Sequence, residues 1–592
     1  MKEKIKKIFK RKWGVEFFEK LSNIRKDFSI SEKLLFYFLC IIFISSSLII
    51  LSRVNNLFSI QVPTNGGYLK EGIIGSPRFV NPVLAVSDVD HDLTSLIYSG
   101  LVKSSSNNTL VPDLAENYSV STDGLTYTFI LRDDIYFQDG IKITTDDIEF
   151  TINKIQDSTI KSPKRPGFYD VKVEKVDEKQ IKFILKTPYS PFLENLTIGI
   201  LPKHLWDNLS SDQFPLSQYN VEPIGSGPYK VTKMDTLKKN MLLIPTYYEL
   251  SAFDKYVSDK PFIEQIIINF YKDEATLIDA YNKKDIESIN SISPEKIVDI
   301  KMQKNSKINT SPLPRVFAVF FNQNQSEILT YKEVRNALNL AVNRNKIVND
   351  VLSGYGETLY GPIPAGLIDS QSEDVQDGNI DSAINILTKA GWVKSSSTGK
   401  MSKKISKTKT VELNITISTL NSDDLVETAE LVKSDWEKIG AQVEIKQFDF
   451  GDLQQNIIRP RKFEALLYGE VIGRDMDFFA FWHSSQRNDP GLNIAMYTNT
   501  KVDKLLEDAR KTLDASVRID KYKSFRDEVE KDIPAVFLYS PEFIYITPSK
   551  IQGFYLENIT LPFERFLNIN NWYIETNNVW KIFSNKYTYI IY

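Results

Sequence analysis

The pattern of apolar and polar residues in the second half of the chain predicts a β-α-β unit. Apolar and polar residues alternate over 411–418 and again over 442–448, which is the period of a half-buried strand. Between these runs, apolar residues recur at helical spacing from Leu425 to Ile439, and Gly440 is suited to end the helix. A right-handed crossover makes the two strands parallel. The pattern therefore predicts an α/β fold.

A short apolar run at 463–469 predicts another buried strand of the same sheet. The loop after it is rich in acidic, arginine and aromatic residues. Ligands of open α/β sheets bind beyond the carboxyl ends of the strands, so this loop is the candidate binding site. The candidate ligand-binding residues of this region are Tyr468, Glu470, Arg474, Asp475, Asp477 and Trp482.

The uncharged apolar run at 34–51 is about long enough to span a bilayer. Residues 1–33 carry more Lys and Arg than Asp and Glu, so the positive-inside rule predicts a cytoplasmic segment there and everything after residue 51 outside. A cleaved signal peptide is the alternative. The basic segment is long for a signal peptide and no clear A-x-A site follows, which favours an uncleaved anchor. Residues 52–66 are predicted to be a polar tether.

Composition narrows the possible functions. A chain of 592 residues is too long for one core, so two or more domains are expected. The net charge of -3 gives no reason to expect nucleic acid as a partner. One cysteine and three histidines far apart in the sequence make a metal site improbable, and no cofactor is expected. No P-loop, nucleophile elbow, HExxH motif or dinucleotide fingerprint is present, so we do not expect an enzyme.

The region from 111 to 150 carries the most diagnostic motif. Asp-Gly pairs at 123–124 and 139–140 predict two turns, and Thr144 or Thr145 is suited to cap the helix that follows. Further motifs follow in order along the chain: PIGSGPYKV at 223–231, VFAVFFNQN at 316–324, VRNALNLAVNRNKIV at 334–348 and VDKLLEDAR at 502–510.

The motif at 334–348 also predicts a helix from its own pattern. Its apolar residues make one buried stripe that extends to Val348, and Thr330 with Glu333 is suited to form a capping box at the N-terminus. Gly354 follows the expected end. The spacing therefore predicts a single capped helix here.

With these motifs the chain resembles the family 5 extracellular solute-binding proteins of ABC importers, which include oligopeptide-, dipeptide- and nickel-binding proteins. The resemblance implies a two-lobed α/β fold of the periplasmic-binding-protein type (class II, cluster C), here behind an N-terminal transmembrane helix. It implies a first lobe of residues 67–313, joined again by 534–592, and a second lobe of residues 314–533. The segments 316–321 and 535–539 would be the hinge strands.

The resemblance also places the loop after residue 469 in the cleft between the lobes. Peptide-binding members hold the amino terminus of the peptide with an acidic residue, and here Asp475 is preferred over Glu470 for that role. Two departures from the family pattern affect this alignment: Glu470 stands where the family commonly has Trp, and Met476 replaces Pro. Ser76 and Arg78 would lie near a loop that contacts the ligand from the first lobe.

The function that the resemblance implies is a membrane-anchored, monomeric, extracytoplasmic receptor that delivers small peptides to the permease subunits of an ABC transporter. A receptor for a metal chelate or sugar is the alternative, and a tethered hydrolase is a weaker one. A signalling receptor is disfavoured because 33 basic-rich residues are too few to fold as an output module. The aromatic-rich tail at 572–592 either packs on the first lobe or forms a docking surface for membrane or transporter.

Overall fold

A computed structural model describes residues 29–105, 109–239, 242–364, 367–368, 377–556 and 559–582. The α-helices, in chain order, are α1 Ile30–Phe58, α2 Asp88–Ile97, α3 Thr145–Gln156, α4 Arg165–Phe168, α5 Phe192–Asn195, α6 Lys203–Trp206, α7 Glu274–Lys283, α8 Lys332–Ala341, α9 Arg344–Val351, α10 Ile380–Lys389, α11 Asp423–Lys438, α12 Phe450–Asp452, α13 Phe479–Trp482, α14 Thr500–Lys511 and α15 Ala515–Asp532.

The strands, in chain order, are β1 Ser59–Thr64, β2 Tyr68–Ile74, β3 Val102–Ser104, β4 Leu110–Pro112, β5 Ala115–Val120, β6 Thr126–Leu131, β7 Lys172–Lys175, β8 Gln180–Ile184, β9 Tyr229–Lys239, β10 Leu242–Ala252, β11 Gln265–Tyr271, β12 Ser288–Asn290, β13 Ser306–Pro312, β14 Arg315–Phe321, β15 Gly356–Thr358, β16 Val393–Lys394, β17 Met401–Lys404, β18 Thr410–Glu412, β19 Asn414–Leu420, β20 Gln442–Phe448, β21 Ala465–Val471, β22 Ala535–Pro548 and β23 Glu575–Trp580. A 3-10 helix at Pro562–Phe566 also contributes to the site.

Residues 29–64 and 575–582 form one compact unit, and residues 65–574 form another. In the first unit, Ser29 and Glu32 make a capping box that starts α1. Within the described residues, α1 is the one helix that is long and apolar enough to cross a membrane. Residues 52–58, predicted as part of a tether, instead extend this helix, and β1 after it pairs antiparallel with β23. The tail prediction for residues 583–592 lies outside the described residues.

In the second unit, the main sheet has the order β20-β19-β21-β14-β22-β12-β2-β11-β10-β9. Strand β22 is fourteen residues long, and its first half pairs with β14 while its second half pairs with β12 and β13. We call the side of β22 with β2 and β9–β11 the first lobe, and the side with β14 and β19–β21 the second lobe. Both predicted hinge segments are therefore strands that pair with each other.

Each lobe has its own hydrophobic core. The first lobe's largest core joins β2, α2 and α3 to the four-stranded sheet β5-β6-β8-β7. The second lobe has one core around α8, α11 and β19, and another around α14 and α15. Apolar burial drives each of these clusters. Because the cores are separate, the two lobes meet mainly through strand β22 and through the contacts across the cleft described below.

The predicted β-α-β unit is confirmed. Strands β19 and β20 are parallel around α11, with Ile417 opposite Ile445, and β21 lies parallel to β19 on its other side. The single capped helix predicted at 334–348 is wrong. It is two helices, α8 and α9, because Val342 has extended backbone and Asn343 caps α9 by accepting a hydrogen bond from the Lys346 N–H. The N-terminus of α8 has Tyr331 at its cap and no side-chain cap hydrogen bond.

Candidate functional site

Strand β21 carries the first two of the predicted site residues. Tyr468 is half-buried, and its hydroxyl accepts a hydrogen bond from Gln454 Nε2 at 2.7 Å. Glu470 is 3% exposed and lies on the strand rather than in the loop after it. Neither of its carboxylate oxygens has a hydrogen-bond partner among the described residues. Burial raises the pKa of Glu470 well above its ordinary value, so the neutral acid is favoured until a cation approaches.

The loop after β21 brings Asp477 to the contact between the lobes. Arg510 on α14 donates to Asp477 through two nitrogens, with Nη2 to Oδ2 at 2.6 Å and Nε to Oδ1 at 2.9 Å. Tyr189 of the first lobe donates its hydroxyl to Asp477 Oδ2 at 3.4 Å. Next to Tyr189, the Ser190 N–H donates to the Arg510 carbonyl at 2.8 Å. Asp477 is therefore paired and helps to hold the lobes together.

Arg474 makes a second connection between the lobes. Its Nη2 lies 2.5 Å from Oε2 of Glu564, which belongs to the 3-10 helix Pro562–Phe566 of the first lobe. Both side chains are about nine-tenths buried, with 10% and 8% of their surface exposed. Glu564 also accepts a hydrogen bond from the Thr560 N–H at 2.7 Å. With the Asp477 contacts, this ion pair closes the cleft in the structure.

Asp475 differs from its two neighbours, because its carboxylate has no ion pair within the described part of the chain. Burial, together with the nearby charge of Asp477, raises the pKa of Asp475 to about 6. Its one hydrogen bond is accepted from the Asp477 N–H at 3.3 Å. Asp475 is thus a half-buried carboxylate at the closed cleft that a bound cation would stabilise.

A cavity of about 380 Å³ lies beside these contacts. Its lining comes from the first lobe, except for Arg474, which reaches it from the second lobe. This volume is within the range of about 300–1,000 Å³ that is typical of small-molecule sites. The Asp, Glu, His, Lys and Arg residues of the lining are His91, Lys103, Asp113, Lys164, Glu194, Arg474 and Glu564.

Three of these groups have no ion pair among the described residues. Lys103 pairs with Asp113 at 3.6 Å and Arg474 pairs with Glu564, which leaves His91, Lys164 and Glu194. Burial raises the pKa of Glu194 to about 7, although the charge of Arg474 acts in the opposite direction. Burial, and then the charge of Lys164, lowers the pKa of His91 to about 4. The cavity therefore holds an unpaired ammonium group near His91 and an unpaired carboxyl group near Arg474.

The other predicted site residues lie elsewhere. Ser76 and Arg78 are exposed in the loop between β2 and α2, and neither lines the cavity. Asp90, in the capping box of α2, orders this loop by accepting hydrogen bonds from the N–H groups of Arg78 and Phe79. Trp482 is fully buried in the core of the second lobe, with its ring 5.9 Å from that of Phe537. Among the described residues there is no cluster of three His, Cys, Asp or Glu side chains that could hold a metal.

Sequence reasoning missed Tyr189, Lys164, Glu194 and Glu564. All four are in the first lobe. Tyr189 and Glu564 contact the loop, and Tyr189 and Asp477 are 288 positions apart. Lys164 and Glu194 line the cavity beside it, at the cap of one short helix and within another. No local signal marks these residues, because only the tertiary fold brings them to the loop or to the cavity.

The sequence of this chain is similar to a known protein family and to characterised relatives. A profile of the family described as "Bacterial extracellular solute-binding proteins, family 5 Middle" matches residues 109–493. The chain is 27% identical to the oligopeptide-binding protein AppA of Bacillus subtilis (strain 168) over 522 residues, which covers 86% of this chain and 92% of AppA. It is 25% identical to the dipeptide-binding protein of Escherichia coli (strain K12) over 511 residues, covering 82% and 91% of the two chains.

Two solved structures are similar over nearly their whole length. AppA from Bacillus subtilis in complex with a nonapeptide has a TM-score of 0.65 at 26% identity and covers 87% of this chain and 100% of its own. NikZ from Campylobacter jejuni in complex with Ni(L-His) has a TM-score of 0.66 at 27% identity and covers 86% and 99%. The two-lobed fold is therefore shared with proteins that bind ligands of different chemistry.

Proposed function

The chain belongs to family 5 of the bacterial extracellular solute-binding proteins, and from this we propose that it is the solute receptor of an ABC importer with a small peptide as its ligand. The names of its relatives AppA and the Escherichia coli dipeptide-binding protein support a peptide. One structural observation carries the proposal: a loop of the second lobe closes over a cavity of the first lobe that contains unpaired groups of opposite charge.

A peptide with free ends matches the cavity's charges. Its ammonium group would approach Glu194 and Asp475, and its carboxylate would approach Lys164. Charges that are shielded from water interact more strongly than they do in solution, so the half-buried Glu194 and Asp475 would make the stronger contact and the exposed Lys164 the weaker one. A bound ammonium group would also lower the raised pKa values of both acids.

Asp475 is the proposed anchor of the peptide amine, in preference to Glu470. Asp475 lies at the closed cleft beside groups of the first lobe, since its charge raises the pKa values of both Tyr189 and Glu194. Glu470 is enclosed in β21 and lacks a partner. Tyr468, Ser76 and Arg78 remain proposed site residues for an opened cleft, where Ser76 and Arg78 are the more accessible because both are exposed. Trp482, buried in the second lobe's own core, remains a proposed site residue through the position that it gives to the loop.

Binding without catalysis is part of the proposal. The sequence has no recognised catalytic motif, and Asp477 and Glu564 at the cleft are ion-paired with arginines instead of being oriented as general bases towards a serine, threonine or cysteine side chain of the described residues. Helix α1 would anchor a monomeric receptor with its lobes outside the cell, and the permease subunits would take up the ligand. Anchoring supports this role because it keeps the receptor at a high effective concentration near the transporter.

A metal chelate is the second candidate ligand. The specific observation in its favour is the NikZ complex with Ni(L-His), at an identity similar to that of AppA. The unpaired acid and lysine would contact the amino-acid part of such a chelate, since the described residues offer no cluster of metal ligands.

A thermal-shift screen of the full-length protein in detergent tests the proposal. A peptide at 100 times its Kd should stabilise the folded protein by about 2.7 kcal/mol. The screen compares short and long peptides, sugars and nickel–histidine. A shift with peptides supports the proposed ligand class. Shifts with sugars or the chelate but with no peptide would overturn it and select the other class.

A further inference from the structure

The C-terminal strand returns to the outer end of the N-terminal helix. Strands β1 and β23 pair antiparallel over six residue pairs, from Ser59 opposite Trp580 to Thr64 opposite Glu575. Ser59 is the residue directly after α1. The register therefore brings Trp580 beside the last turn of this helix.

Two contacts hold the Trp580 indole along the helix. Its Nε1 donates a hydrogen bond to Oδ1 of Asn55 at 2.7 Å, and its ring centroid lies 6.4 Å from that of Phe58. Leu57, Phe58, Trp580 and Ile582 are all exposed large apolar side chains. Two of them are on the last turn of α1 and two are at or just after the end of β23, and we call these four side chains the helix-end patch.

The depth of this patch follows from helix geometry. The centre of the apolar run 34–51 is 12.5 residues from Asn55, so at about 1.5 Å per residue Asn55 lies roughly 19 Å from the middle of the run. The hydrocarbon core of a bilayer ends about 15 Å from its centre, and the headgroup layer extends to roughly 20–22 Å. If the run is centred in the membrane, the indole of Trp580 lies at the level of the headgroups.

We propose that the helix-end patch is a lipid-binding surface whose partner is the phospholipid headgroup layer of the outer leaflet. An indole has an apolar body and one polar N–H, which is why Trp is enriched at this depth. Here β23 supplies it from the opposite end of the chain. The proposal rests on the transmembrane anchoring proposed above, and it adds a second contact with the membrane, made by the C-terminal strand.

Quenching of tryptophan fluorescence by brominated phosphatidylcholine tests this surface. The full-length protein is reconstituted into vesicles with and without brominated chains, and the emission of Trp580 is obtained by subtracting the spectrum of Trp580→Phe from that of wild type. We expect this difference emission to be blue-shifted relative to water and to lose most of its intensity in brominated vesicles. The matched control is Trp572→Phe, because Trp572 is fully buried in the first lobe's core and its emission should not be quenched.

Two outcomes would overturn the proposal, and they are distinguishable by flotation of the same vesicles. If the protein floats with the vesicles but the Trp580 emission is neither shifted nor quenched, the lipid-binding surface is refuted and the anchor stands. If the protein does not float, the transmembrane anchor fails and the surface fails with it. Peptide binding in detergent is independent of both results.

Discussion

The charges around Arg565 and those around its neighbour Glu564 behave differently. Around Arg565, every charge is paired: its guanidinium contacts Glu71 at 2.8 Å and Asp92 at 2.7 Å, and Tyr545 donates to Glu71 at 2.6 Å. These groups are essentially without solvent exposure. Around the neighbouring Glu564, the cleft instead contains acids and a lysine that have no ion pair among the described residues.

The difference separates a structural role from a binding role. Removing a charge from water is costly, and a partner of opposite charge offsets that cost only in good geometry. The Arg565 network meets that condition within the first lobe, so it needs no ligand. In the cleft only some charges have such a partner. Glu194, Asp475 and Lys164 have none among the described residues, so a ligand with charges of opposite sign would stabilise them. Four experiments test this contrast, in order of expected effect.

The largest effect should come from breaking the paired network with Arg565→Met. This leaves Glu71 and Asp92 buried without a cation, and burial already raises the pKa of Asp92 to about 6. We expect a loss of about 3–5 kcal/mol in the free energy of unfolding, measured by thermal or urea denaturation. The control is Lys283→Met, because the pair of Lys283 with Asp279 is exposed to solvent and its loss should change stability little. Similar small losses for both variants would contradict the structural role.

In the cleft, Asp475→Ala should change binding more than stability. If Asp475 holds the peptide amine, its removal should weaken binding by about 2–5 kcal/mol, since the bound ammonium loses its partner. Titration calorimetry with a peptide and its N-acetylated form measures this. The acetylated form should bind both proteins equally, and the exposed Asp489→Ala serves as the matched variant. Equal losses for both peptides would refute the anchor.

Glu194→Gln tests the binding role of the cleft through the pH dependence of stability and of peptide affinity. The folded-state pKa of Glu194 is about 7, above its ordinary 4.5, so the folded protein holds more protons between these values. Its contribution to stability is therefore present below about pH 4.5 and is lost as pH rises towards 7. Peptide affinity should show the opposite trend, since the amine needs the ionised form.

Calorimetry between pH 5.5 and 8 measures this dependence. Wild-type affinity should fall by at most about 1.4 kcal/mol per pH unit below 7 for each proton taken up. In Glu194→Gln the affinity should no longer depend on pH between about pH 6 and 7. The dependence that comes from protonation of Asp475, near pH 6, should remain. An unchanged profile in the variant would exclude Glu194 from the amine site.

The smallest effect should come from Lys164→Met. Lys164 lies at the surface of the cavity and keeps much of its solvent contact, so its pairing with a peptide carboxylate should contribute about 1 kcal/mol or less. The preference for a free carboxylate over a C-terminal amide, measured as a ratio of affinities, should fall towards one. The exposed Lys161→Met, three residues earlier and outside the cavity lining, should keep the preference. A preference retained in both variants would rule out this contact.

Local patterns predicted much of the fold. The strand at 442–448 and the helix that contains Leu425 to Lys438 follow from periodicity alone. The same reasoning failed at Asn343, where a polar residue inside an apolar stripe starts a new helix. It placed Glu470 one step beyond its strand, because burial of a carboxyl group cannot be read from an apolar run.

The β-α-β unit and the apolar run at 34–51 could be recognised from local patterns, because the interactions behind them act between residues a few positions apart. Which charges meet depends on the packing of segments that are distant in the chain. Asp477 contacts Arg510 and Tyr189, and Arg474 pairs with Glu564. Asp475, which lies between them in the sequence, has no ion pair among the described residues. These acids are alike in the sequence. Their differences come from burial and from distant neighbours, and no local pattern records either.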